Sequence, residues 1–206
     1  MSLRIGDGGG KNGDMRTSVD QRGLVQSVMR TESQEANAKG QGVNINTDDV
    51  TISAETVLLY VKNTRSTKIS GEDQIFRVTN LAVQFRNGSS PVFAGRGKFS
   101  VDFDGDGGTV ISSNNVVPIK SNQNPGSTET FVDLTALVGA SGETVTNVSQ
   151  QGHFDIDGAE GARVMGDFDW VLPQGKAISV KIDPNLSSGT LDVYVNLAGY
   201  YTTLGL

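Results

Sequence analysis

From Val43 onward, apolar positions alternate with polar ones or gather in short blocks between Gly, Pro, Asn and Asp, the pattern of strands with a buried face. Thr56 to Val61 reads as one strand. In Gln74 to Phe85 the apolar residues Ile75, Val78, Leu81, Val83 and Phe85 fall out of step, which predicts a bulge or break near Asn80. Lys98 to Phe103 puts Phe99, Val101 and Phe103 on one side, and Thr109 to Ser112 is expected to answer it across an Asp/Gly turn. Val116 to Ile119 and Glu129 to Val132 bracket a polar loop holding Pro125 and Gly126. Further strands are expected over Thr144 to Val148, Gly152 to Ile156, Arg163 to Val171, Ala177 to Ile182 and Thr190 to Leu197. The turns at Pro173-Gln174-Gly175 and Asp183-Pro184 suggest two meander hairpins on one side of a sandwich. The stretch with helical character is Thr31 to Lys39, where Thr31 or Ser33 can cap a turn or two.

Roughly eight to ten short strands, without alternating amphipathic helices, predict an all-β fold: an antiparallel β-sandwich, jelly-roll-like, with an extended N-terminal arm. No repeat of fixed period is present, which speaks against solenoids and propellers. The arm is residues 1–42 and the sandwich domain 43–206. Six cations and five anions give the arm a charge of +1, against −7 for the rest of a chain whose net charge is −6. The arm holds eight glycines and scattered large apolar residues, too few to bury a core of its own. It is therefore expected to order on a partner, with Val19, Leu24, Val25, Val28 and Met29 as the interface residues.

Composition narrows the function. Gly supplies 26 of 206 residues, about 13% against a usual share of roughly 7%, which favours turns and short strands. With no Cys, disulfides, zinc-thiolate sites and thiol catalysis are excluded. The single histidine, His153, excludes a multi-His metal centre. The acidic balance disfavours a nucleic-acid partner, since phosphate neutralisation needs clustered cations. No window approaches the roughly 18 apolar residues of a membrane helix, so no membrane partner is expected. Gly8, Gly9 and Gly10 stand where a secretion signal would place its apolar stretch, so the expected product is made in the cytoplasm.

Four groups of residues could carry chemistry. Asp102, Asp104, Asp106 and Gly107 match the opening of a calcium loop, but Ser113 stands where a bidentate Glu belongs and strand flanks it; a tight hairpin is the better reading, weak cation binding the alternative. His153 lies near Asp155 and Asp157 without a nucleophile elbow, which favours a solvated strand histidine over a triad. Asp155/Asp157 and Asp167/Asp169 could face the same way as glycosidase carboxylates, although such doublets more often decorate a wet strand face. Gly6-Asp7-Gly8-Gly9-Gly10-Lys11 lacks the spacing and strand-to-helix setting of a phosphate loop. No catalytic residue, metal or cofactor is expected.

Three stretches carry a family resemblance. Arg30-Thr31-Glu32-Ser33-Gln34-Glu35-Ala36-Asn37, then Gly42-Val43-Asn44-Ile45-Asn46-Thr47, resembles the segment ahead of the first sandwich strand in tailed-bacteriophage virion structural proteins. Thr56-Val57-Leu58-Leu59-Tyr60-Val61-Lys62-Asn63 is similar to their next element. Val171 to Lys176, Val180 to Pro184 and Leu191 to Val195 resemble their closing hairpins. The resemblance implies a non-enzymatic virion component, a capsid cement or decoration protein that sits on the major capsid protein as a homotrimer. The alternatives are a tail, baseplate or head-to-tail junction protein, and, from another class, a carbohydrate-binding adhesion module using exposed aromatics, with Tyr200 and Tyr201 as candidates.

Overall fold

The computed structural model describes residues 16–19, 25–28, 31–38, 40–64, 74–104, 116–117, 119–121, 134–140, 142–143, 145, 148–156 and 163–203. Ahead of the sandwich come two strands, β1 (Arg16–Val19) and β2 (Val25–Val28), and a helix, α1 (Glu32–Ala38). The sandwich then runs through β3 (Gly42–Asn46), β4 (Val50–Ile52), β5 (Thr56–Asn63), β6 (Gln74–Asn87), β7 (Val92–Phe93), β8 (Gly97–Asp104), β9 (Ile119–Ser121) and β10 (Leu134–Leu137). It closes with β11 (Val148–Ile156), β12 (Arg163–Leu172), β13 (Ala177–Asp183), β14 (Leu186–Ser188) and β15 (Leu191–Thr203). Among the described residues no helix is long and apolar enough to cross a membrane.

The strands form two principal antiparallel sheets. One has the order β10-β5-β13-β8-β11; the other runs β12-β6-β15-β3-β9, with β4 also on β15. Four nested pairs account for eight of these strands: β3 with β15, β5 with β13, β6 with β12, and β8 with β11. This is the path of one long eight-stranded hairpin rolled on itself, the connectivity of a jelly roll. The sandwich expected from the strand count is therefore present, and the jelly-roll path with it.

Two expected hairpins differ. The segments joined by Pro173–Lys176 and by Asp183–Asn185 are not meanders within one sheet: β12 and β15 lie in one sheet and β13 in the other, between β5 and β8. The physical reason lies in the partners, because Asn63 at the end of β5 holds this corner through Asn63 N–H to the Lys176 carbonyl and Gly175 N–H to the Asn63 carbonyl. Likewise β8 is flanked by β13 and β11; the expected hairpin partner, Thr109 to Ser112, lies outside the described residues. The expected strand at Glu129 to Val132 also lies outside them; the described strand there is β10.

Between the sheets lies a core of aliphatic and aromatic side chains, including Ile45, Leu58, Phe76, Val83, Phe99, Ile178, Val193 and Tyr201. Phe85 meets Phe99 edge-on at 6.3 Å and Phe76 meets Tyr201 at 5.3 Å. The run Thr56–Val61 is buried without alternation because β5 is covered on both faces: Val57 and Tyr60 form a second cluster with Leu137, Val145 and Ala177. The broken periodicity near Asn80 has its cause in β6: opposite β15, Ala198 pairs with Asn80 and Gly199 with Val78, leaving Thr79 as the extra residue of a bulge.

That bulge brings backbone against backbone at Gly199. A Cβ there would collide with the Arg77 carbonyl and lie 2.6 Å from the Phe76 ring. Gly199→Ala is accordingly expected to lower the unfolding free energy by about 2 kcal/mol, read from the midpoint of urea denaturation. An unchanged midpoint would contradict the close approach.

Candidate interaction surface

Among the described residues the inward positions of both sheets are taken up by the core, and polar side chains line the outer faces and α1. The segment ahead of β3 is tied down by α1. Thr31 caps it reciprocally, with Gln34 N–H donating to Thr31 Oγ1 at 3.3 Å and Thr31 N–H to Gln34 Oε1 at 3.1 Å. Glu32, in its first turn, accepts from Thr202 Oγ1 at 2.5 Å and from the Tyr200 hydroxyl at 3.5 Å. Arg77 Nε lies 3.8 Å from the same carboxylate, and Arg77 Nη1 donates to Asp169 at 2.8 Å. Residues 31–38 are thus fastened across the ends of β6 and β15, although they belong to the region whose sequence reads as an arm.

These contacts shift two titrations. Burial lowers the Arg77 pKa, but the Asp169 hydrogen bond and the Glu32 charge outweigh it and hold the guanidinium above its ordinary value. Burial, and then the negative charge of Glu32, push the Tyr200 hydroxyl above its ordinary value of 10.0.

Beyond α1, the outer face of the β12-β6-β15-β3-β9 sheet runs in cross-strand rows. Asn80, Ala198 and Asn44 form one row, Ala82, Asn196 and Asn46 the next, then Gln84 beside Tyr194. Asn196 Nδ2 donates to Asn44 Oδ1 at 3.2 Å and also to Asn46 Oδ1. Tyr194 is 38% exposed, and the Arg86 guanidinium lies 5.3 Å from its ring centroid. Arg86 also pairs with Asp49, and Asp192 accepts from Thr51 Oγ1 at 2.7 Å. A cleft of about 460 Å³ opens beside Tyr194, bounded by Asn46, Asp48, Ala82, Gln84 and Asn196. A second, of about 430 Å³, lies across the Asn46–Asp49 segment and reaches Val116, Val117 and Ala140.

The residues singled out by sequence fall as follows. Asp102 points from β8 to the outer face of the other sheet, where it is 2% exposed. Lys181 Nζ lies 3.4 Å from its carboxylate and Ser100 Oγ donates to it at 3.0 Å. That strand carboxylate engages Lys181 and Ser100; Asp104 ends β8, and Asp106 and Gly107 lie outside the described residues. His153 pairs in register with Ser100 and Asp155 with Lys98, while Asp157 lies outside. Between Asp167 and Trp170 the ladder shifts register, and Asp169 is engaged by Arg77.

Among the interface candidates, Val19 pairs with Val25 and Arg16 with Val28 in the β1–β2 ladder; Leu24 and Met29 lie outside the described residues. Tyr201 is a core residue and Tyr200 is covered at the α1 contact, so neither is the exposed aromatic that sequence suggested. Tyr194 is, and sequence reading passed over it. Its signal was available, because Leu191, Val193, Val195 and Leu197 turn inward and the even positions of that strand must turn outward.

No family model matches the chain, and no curated protein matches it in sequence. Among solved structures, a chain of the full particle of Israeli acute paralysis virus heated to 63 degrees aligns with 99% of this chain and 81% of that one, at 12% identity and a TM-score of 0.31. At that score the likeness adds nothing to the fold, which rests on the strand connectivity.

The α1 contact predicts a pH dependence. A tyrosine whose folded pKa is raised contributes stability that is complete below its unfolded value and lost as pH rises through the folded one. Between about pH 9.5 and 11 the wild-type protein should therefore lose stability more steeply than Tyr200→Phe, read by urea denaturation at each pH. Equal slopes would contradict the burial of Tyr200 beside Glu32.

Proposed function

We propose that this chain is a virion structural protein of the capsid cement or decoration type, which binds a shell of major capsid protein as an oligomer. The observation that carries the reading is the β1–β2 hairpin. Its two strands have four residues each and pair with one another in a sheet of their own. A ribbon that short gains stability from a further surface to pack on. In sequence it lies just ahead of α1, which is fastened to the sandwich, and that order suits a segment that reaches from an anchored body to a partner.

Other features support the same reading. Jelly rolls recur as viral capsid domains, although a fold by itself assigns no function. The filled interior suits a building block. The sequence resemblance to phage virion proteins spans both ends of the chain and implies the homotrimer.

The test uses phage heads stripped of the protein. Full-length chain should co-sediment with them at a fixed, high copy number. A variant lacking residues 1–30 keeps Thr31, Glu32 and β3, so it should retain its circular dichroism and oligomeric state yet bind at least about tenfold more weakly, a loss of roughly 1.4 kcal/mol. Full affinity in the truncated protein would overturn the role of the hairpin, and binding confined to tails would overturn the capsid assignment.

A further inference from the structure

We infer that the cleft beside Tyr194 binds a neutral carbohydrate. The inference rests on that cleft alone and stands apart from the particle-binding reading. At about 460 Å³ it falls within the size range of small-ligand sites. Its walls combine one aromatic ring with side-chain amides and a carboxylate, and each has a counterpart on a sugar.

Tyr194 supplies the platform. Arg86 takes one side of the ring, in the row shared with Asp192, while the cleft extends toward Ala82 and Asn196 in the opposite row. The apolar C–H face of a pyranose can pack on the ring there, and the small side chain of Ala82 leaves the floor open. Amides supply the polar contacts. Asn196 Nδ2 is spent on Asn44 and Asn46, which turns the Asn196 carbonyl outward as an acceptor and leaves the Asn46 amino group as a donor. Gln84, exposed in the Tyr194 row, adds a donor and an acceptor. Sugar hydroxyls need such mixed partners, because each both donates and accepts.

Asp48 completes the rim, and the loop that carries it is fixed. Thr47 N–H donates to the Val195 carbonyl at 2.9 Å, Val195 N–H donates to Thr47 Oγ1 at 2.9 Å, and Thr47 is buried. Asp48, next to this fixed residue, lines the cleft, so its carboxylate can accept from two neighbouring hydroxyls without first ordering the loop.

The same features select against other ligands. Asp48 is the charged residue of the lining, and the nearby cation, Arg86, is engaged by Asp49, so phosphates, nucleic acids and acidic sugars meet the wrong sign. The cleft lies on a sheet face whose β6 and β15 backbones are paired, so an extended peptide finds no strand edge to join.

The experiment is saturation-transfer NMR on the full-length protein with neutral di- and trisaccharides of glucose, galactose and mannose, beside sialylated and uronic-acid counterparts. The neutral set should show transfer with a Kd on the order of 1 mM, and the acidic set none. Tyr194→Ala should abolish transfer, Tyr194→Phe should keep it, and Asp48→Asn, in the loop and outside the ladder, should weaken it about tenfold with an unchanged melting temperature. Absence of transfer from every neutral sugar at about 10 mM, equal transfer from the acidic set, or retention of binding in both Tyr194→Ala and Asp48→Asn would overturn the inference.

Discussion

The ladder between β15 and β6 is the constraint on which the rest of the molecule depends. It runs from Leu191↔Asn87 to Thr203↔Gln74, and the other edge of β15 carries β4 and then β3. Inward, Leu191, Val193, Val195, Leu197 and Tyr201 reach across the core; burying each such side chain contributes about 1.5–3 kcal/mol. Outward, Tyr194, Asn196, Ala198 and Tyr200 make the surface that α1 and the cleft beside Tyr194 use. β15 thus closes on strands more than a hundred residues earlier in the chain. Such long-range closure requires distant segments to meet before contacts reward them, which makes for slow folding and a cooperative product.

From that closure follows where function can reside. Among the described residues the positions between the sheets are apolar, with the Tyr201 hydroxyl and Asn63 as a buried polar contact at 3.4 Å that also reaches the Leu172 carbonyl. Polar surface is left to the outer faces. The covered end of one outer face holds the segment leading to the hairpin, its middle presents neutral amides, and its far end presents Tyr194 beside the Arg86–Asp49 pair. Charge on the opposite outer face is turned inward on itself, Asp102 against Lys181, and Lys181 lies 3.5 Å from Glu55 as well.

Much of this was legible in the sequence, and the rest was not for physical reasons. Alternation identifies which face of a strand is buried, so Phe99, Val101 and the odd positions of Leu191 to Leu197 announced the core, and the slipped period announced the bulge at Thr79. Alternation does not say which strand lies alongside. Hence Pro173-Gln174-Gly175 and Asp183-Pro184 looked like meander turns when they carry the chain from one sheet to the other. The Thr31 cap and helix are local and were readable. The attachment of Glu32 to Arg77, Tyr200 and Thr202 joins residues far apart in the chain, and no spacing rule could supply it. Asp102, Asp167 and Asp169 looked like candidate ligands or acids because residue type shows charge and not partner; Lys181 and Arg77 engage two of them.

The most direct measurement of the account is native-state amide hydrogen exchange on the full-length protein. If β15 closes the roll, the amides of its core-facing positions from Val193 to Tyr201 and those of β6 opposite them should exchange only through global unfolding, with the same free energy as denaturation and as the centre of β13. If β15 instead opens locally, exchanging well before β13 and β5, the closure by this ladder is wrong, and with it the rigid outer face that the proposed sites require.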